Sequence, residues 1–265
     1  MLLDKNDVLI SNQRQRTLIY ICFGLYLAFG IGLFGFMRFF PPPPPTSTLE
    51  EVVAIYTHHL PIFQIGVILA LIGSAVMLPW SLVIYIQMAR VERGYPVLAL
   101  LQLLTGAVGT CFMWMPPMLW GYAAFSIHRD PSVAMAFHEL GWIFMVVPEV
   151  FWPIQLFSIV IIAFTKREDD RYSAFPRWVG YLTALMATEP IVEYGAIIFK
   201  TGPVAWNGLL SWYIPIGLWG PWVLSVSISI LRSLKHQDHL LKSVRVEQTP
   251  TSVGMLLNGE PLHVR

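Results

Sequence analysis

The feature that most constrains this sequence is a series of long apolar runs with almost no charge in them. A helix needs about 20 residues to cross the ~30 Å hydrocarbon core of a bilayer, and runs of that length recur along the chain. Inside a bilayer every backbone N–H and C=O must find a partner within the protein, so an uncharged run of this length crosses as a helix. The chain is therefore expected to be all-α, a polytopic transmembrane helix bundle. Composition agrees: charged residues are 12% of the 265, about half the share in soluble domains. A soluble enzyme, a disordered chain and a nucleic-acid binder are excluded. The balance of 17 Lys and Arg against 16 Asp and Glu offers no net field to a polyanion.

Six spans are expected, at about 17–37, 62–89, 97–126, 140–164, 178–199 and 207–231. Residues 1–16 form a polar N-terminal segment, 17–231 the membrane domain and 232–265 a polar cytoplasmic tail, solvated or bound to the membrane surface. The first run is preceded by polar residues and lacks a small-residue cleavage site, so it reads as a retained anchor. Of the 17 Lys and Arg, only Arg38, Arg129 and Lys200 fall on one side of this arrangement. Short loops rich in Lys and Arg mark the cytoplasmic face, which puts both termini in the cytoplasm.

The outer loops carry helix signals of their own. Pro41 to Pro45 favours stiff, extended geometry. It leads into Ser47-Thr48-Leu49-Glu50, a capping-box pattern that opens a helix near 47–59. Asp130-Pro131 has the form of an N-cap followed by proline at the first helical position, which predicts a short helix over 131–138.

Three acids stand inside apolar runs: Glu149, Glu189 and Glu193. Counted at 1.5 Å per residue from the outer ends of their spans, they lie roughly 13, 15 and 9 Å deep. A charged side chain at mid-helix costs about 2.5–3.5 kcal/mol on the insertion scale, and such residues face the bundle interior and mark a site. Glu189 and Glu193 are four apart and share a helix face, where two negative charges repel. They are expected to hold or share a proton or a cation. Prolines accompany them. Pro148 precedes Glu149, Pro153 cannot donate to the Glu149 carbonyl, and Pro190 leaves the carbonyl of Met186 free. Interrupted helices at mid-membrane line cavities. The three glutamates are thus the candidate catalytic groups. Trp142, Trp152, Gln155, Tyr194 and Trp212 are the candidate ligand-binding residues around them, with Trp142, Glu149 and Trp152 on one helix face. The competing reading is that the acids bridge helices by hydrogen bonds.

No cofactor is expected. CxxC, HExxH, GxxxxGK[ST] and GxSxG patterns do not occur, and Cys22 and Cys111 lie inside apolar runs as small hydrophobes. His58, His59, His128 and His138 collect outside, but their spacing matches no metal motif, so no metal site is expected.

Two segments, Pro176-Arg177-Trp178-Val179-Gly180-Tyr181 and Lys200-Thr201-Gly202-Pro203-Val204-Ala205-Trp206-Asn207-Gly208, carry a resemblance to a group of bacterial six-helix multi-pass membrane proteins. The resemblance implies a bacterial cytoplasmic membrane and assigns no activity. From the residues, the expected function is binding, or binding and conversion, of a lipophilic small molecule, isoprenoid or steroid-like, in an outward-facing pocket. The partners are then the lipid bilayer and that molecule. The alternatives are a proton-coupled carrier and an accessory subunit held by a membrane partner.

Overall fold

The computed structural model describes residues 5–92, 94–147, 151–165 and 171–247. Among them all regular structure is helical, with no strand. Helix α1 spans Lys5–Gly30 and runs into a π-helical turn, Ile31–Phe36; α2 is Leu49–Thr57. Helix α3 (Leu60–Gly73) passes through a 3-10 turn, Ser74–Val76, into α4 (Met77–Val91). Then follow α5 (Val97–Ser126), α6 (Pro131–Val146), α7 (Phe151–Thr165), α8 (Arg177–Thr188) and the single turn α9 (Pro190–Glu193). A π-helical turn at Leu209–Tyr213 opens α10, Ile214–Glu247.

Five stretches are long and apolar enough to cross a membrane: Asp7–Phe36, Leu60–Val91, Val97–Ser126, Pro131–Thr165 and Leu209–Ser243. The protein is membrane-integral. The stretch predicted as the span 178–199 is present as α8, α9 and a 3-10 turn, Tyr194–Ile197, but it is broken at Glu189-Pro190. Pro190 has no N–H for the carbonyl four residues back. The same chemistry explains the 3-10 turn in the second span, where Pro79 cannot serve the carbonyl of Ala75.

Two expectations about the loops shift. The capping box forms one residue later, with Thr48 as N-cap: its Oγ1 accepts from Glu51 N at 3.3 Å, and Glu51 Oε2 accepts from Thr48 N at 2.8 Å. Asp130 caps α6 by accepting from Ser132 N and Val133 N, yet this helix does not stop at His138. It continues to Val146, where Val147 turns extended at ψ 100 because it precedes Pro148. Trp206 ties the proline run to the loop before α10 by donating from Nε1 to Pro43 O at 2.8 Å. That loop turns at Gly202, whose φ of +84 suits glycine alone among common residues.

The larger correction is at the other end. Residues 232–247 are the last turns of α10, and through Leu234, Gln237 and Asp238 they pack against α1 and α4. Leu234 is buried beside Ile19 and Met88 in one core cluster. Asn12 donates to Asp238 Oδ1 at 2.8 Å and accepts from Arg90 Nη2 at 2.9 Å. Gln87 donates to Gln15 Oε1 at 2.6 Å and accepts from Gln237 Nε2 at 3.2 Å. Arg16 pairs with Asp238, and Arg90 also donates to Gln237. Asn12, Gln15 and Gln87 are all buried, so each lost bond leaves a dry polar group. Asp238→Ala strands the buried Asn12 amide and is expected to cost about 1–3 kcal/mol. A thermal unfolding midpoint equal to wild type in detergent would contradict this network.

Buried apolar side chains form two clusters. One lies toward this polar end, from Ile19 and Cys22 through Trp80, Leu156 and Trp222 to Leu234. The other joins Phe29, Leu33, Phe39 and Tyr56 to Trp120, Trp142, Trp206 and Trp212. Met113 packs against both.

Candidate functional site

A cavity of about 300 Å³ opens at the seam between the two clusters. Met77, Trp152 and Met186 come to its wall from the first cluster; Phe29, Leu33, Val146 and Trp212 come from the second. Tyr26, Phe112, Phe144 and Trp219 add further rings, and Met113 and Met145 add thioethers. The charged residues on this wall are Glu189 and Glu193, and no Lys, Arg or His joins them among the described residues.

The helices that build the wall are irregular where they meet it. Leu33 and Phe34 belong to the π-turn after α1, a stretch with glycine at 30, 32 and 35. Val146 is the last residue of α6, and Glu189 stands at the break before α9. Ser211 and Trp212 lie in the π-turn before α10, where Pro215 has no N–H for the Ser211 carbonyl. Wide turns of this kind concentrate at functional sites, and non-helical backbone at membrane depth is tolerated where it lines a cavity. A Cβ added at Gly30 or Gly220, both on the wall, would meet nothing within 4 Å.

The rings form a continuous surface. Tyr26 and Trp219 lie 6.3 Å apart between centroids, Trp219 and Trp152 4.7 Å, and Trp152 and Trp222 5.5 Å. On the other side, Phe34 meets Trp212 edge-on at 6.5 Å, and Phe112 pairs with Phe144 at 6.0 Å. Three wall residues carry a buried polar atom with no hydrogen-bond partner among the described residues: Tyr26 Oη, Glu189 Oε1 and Trp212 Nε1. Buried polar groups are nearly always bonded, so three on one wall are unusual.

Of the residues singled out in the sequence, Glu189, Glu193, Trp152 and Trp212 reach the cavity. Glu149 lies outside the described residues. The other three are away from the wall. Trp142 stands behind it, fully buried against Trp212 at 5.2 Å. Gln155 faces the α4–α5 seam, donating to Ser81 Oγ at 3.2 Å, and Tyr194 is half-buried on the 3-10 turn after α9. Tyr26 and Trp219 were not among the expected ligand-binding residues. The available signal was a phenol deep in the first apolar run and a tryptophan one helical turn before Trp222.

The outer histidines do not gather. His58 and His59 pack edge to face at 4.2 Å, while His138 is buried and bonded through Nδ1 to Tyr56 Oη at 2.9 Å. Among the described residues no group of three His, Cys, Asp or Glu is arranged to hold a metal. Compared with known protein families, curated proteins and solved structures, the chain finds no match.

Proposed function

We propose that this protein binds a lipophilic small molecule in the cavity between its two cores, with Glu189 and Glu193 as the polar centre. One observation carries the reading: two acids at either end of the single turn α9 stand on the wall of an aromatic and methionine-lined cavity, at the point where several helix irregularities converge. About 300 Å³ is the lower end of the range for small-molecule pockets, so the site suits a compact ligand or the head of a longer isoprenoid or steroid-like one. Methionine adapts its shape to such a ligand. Conversion of that ligand, with one glutamate as general acid and its neighbour as base, is the enzymatic form of the proposal.

The topology proposed with it has six spans, the broken α8–α9 segment being the fifth, and both termini in the cytoplasm of a bacterial cell. Gln15 of the polar network and Tyr26 of the cavity are 11 residues apart on α1, roughly 16 Å. With the basic network at the cytoplasmic side, the cavity falls in the middle and outer half of the membrane.

A thermal-shift screen of the detergent-purified chain against lipophilic metabolites tests the reading. A ligand at 100 times its Kd stabilises by about 2.7 kcal/mol, which raises the midpoint by several degrees. Gly30→Leu fills the cavity and is expected to abolish the shift while leaving the unliganded midpoint close to wild type. A screen without a stabilising ligand, or a shift untouched by Gly30→Leu, would remove the cavity from consideration. The break at Glu189-Pro190 also favours a second reading, a proton-coupled carrier. Proteoliposomes would then acidify on addition of substrate, and a Glu189→Gln variant would not.

A further inference from the structure

We propose that the molecule taken by this cavity is a lipophilic monocation, an amine or quaternary ammonium on a compact apolar body. The inference deepens the binding reading above and rests on it. Its first support is the imbalance of charge on the wall. Glu189 and Glu193 are both there, and among the described residues no basic side chain shares the wall with them. Glu189 Oε1 is buried and has no hydrogen-bond partner among those residues. A carboxylate taken out of water is costly unless a partner compensates it. Elsewhere the fold supplies such partners: at the polar end Asp238 has Arg16 and Asn12. Glu189 Oε1 has no such partner among the described residues, and a cationic ligand would supply one.

The second support is independent of charge. Tyr26, Trp152, Trp212 and Trp219 bring aromatic rings to the same cavity, three of them in one tilted, contiguous array. Aromatic faces attract cations through the ring quadrupole, most of all tryptophan, and quaternary ammonium groups are bound in aromatic cages of this make-up. A neutral lipophile would use the rings for packing and pair no charge with Glu189, which would then hold its proton. An anionic one would meet two acids.

The test uses matched probes on the full chain in zwitterionic phosphatidylcholine nanodiscs, where no anionic lipid concentrates the cation. Benzyltrimethylammonium is the cation, neopentylbenzene its neutral carbon isostere and 3-phenylpropanoate the anion, with affinity read from tryptophan fluorescence. The expected result is binding of the cation at least about tenfold tighter than the isostere, with no measurable binding of the anion. Glu189→Gln should weaken the cation and narrow its advantage over the isostere, the rings retaining the remainder of the preference. If that variant fails to fold, Trp219→Leu serves instead, and should weaken the cation roughly two- to thirtyfold with a smaller change for the isostere. Equal affinities in the wild type, both abolished by Gly30→Leu, overturn the cation assignment and leave the lipophile reading standing. If neither probe nor any neutral lipophile binds, both fall.

Discussion

Gly73→Val is expected to unfold the outer half of this protein, with the largest loss of stability among single substitutions on α3. A Cβ at Gly73 would lie 2.4 Å from Phe29 N and 2.6 Å from Leu25 O, so it meets the backbone of α1 and not a side chain that can turn away. The contact is reciprocal further along: a Cβ at Gly32 would lie 2.6 Å from Gly66 O and 2.7 Å from Ala70 N. Gly66, Ala70 and Gly73 follow at spacings of four and three, which lines them on one face of α3. Membrane helices associate through close packing of small residues, because lipid removes the hydrophobic incentive. Overpacking in a well-filled site costs about 1–3 kcal/mol, occasionally more. Gly73→Ala should fall in that range and Gly73→Val beyond it. Because Phe29, Gly30 and Leu33 line the cavity, ligand binding should fail with the fold. Gly24 on α1 is the control. A Cβ there meets nothing within 4 Å, so Gly24→Ala should be neutral or stabilising by up to about 1 kcal/mol. A Gly73→Val melting midpoint within a degree of wild type would show that α1 and α3 do not approach as closely as this.

The membrane class was legible because bilayer thickness imposes a length that charge-free runs betray directly. The break at Pro190 was legible for a similarly local reason, the missing N–H. The cap of α2 shows how a local rule can miss by one. Ser47 and Thr48 both stand three residues before a glutamate, and spacing alone does not choose between them. The choice falls to Thr48 because Ser47 N is already bonded to Pro44 O at 3.0 Å in the preceding turn. The extension of α10 was hidden for a different reason. Gln237 and Asp238 read as solvent-exposed, yet Gln237 bonds Gln87, and Asp238 bonds Asn12 and Arg16, from distant parts of the chain. A helix whose buried face is polar leaves no trace in a hydropathy pattern. The same limit applies around the acids. Depth along a helix is countable, so Glu189 and Glu193 were expected in the interior, but the helix side a tryptophan takes depends on its neighbours. Trp152 and Trp142 were equivalent in sequence; one reaches the cavity and the other stands behind it.

That difference makes Trp142 the second strong test. Its ring is fully buried and touches Phe39 and Trp120 at 5.0 Å, Trp212 at 5.2 Å and His138 at 6.4 Å between centroids. It links the outer cap to the cavity wall. Trp142→Ala removes all of these contacts at once and is expected to cost about 3–5 kcal/mol, since an enclosed void cannot be refilled by lipid and its lining loses dispersion outright. The indole nitrogen contributes nothing to that figure, because Nε1 has no hydrogen-bond partner among the described residues. Trp142→Phe should therefore recover most of the stability. Trp222→Phe should recover less, because Trp222 Nε1 donates to Thr183 Oγ1 at 2.9 Å, a bond worth about 0.5–1.5 kcal/mol. Binding separates Trp142 from Trp212 as stability does not. With Trp212 held in place, Trp142→Phe should leave ligand affinity unchanged, whereas Trp212→Phe alters the wall itself and should change it. Equal losses of affinity in the two variants would mean that Trp142 meets the ligand directly, and the wall would have to be redrawn one residue deeper into the outer core.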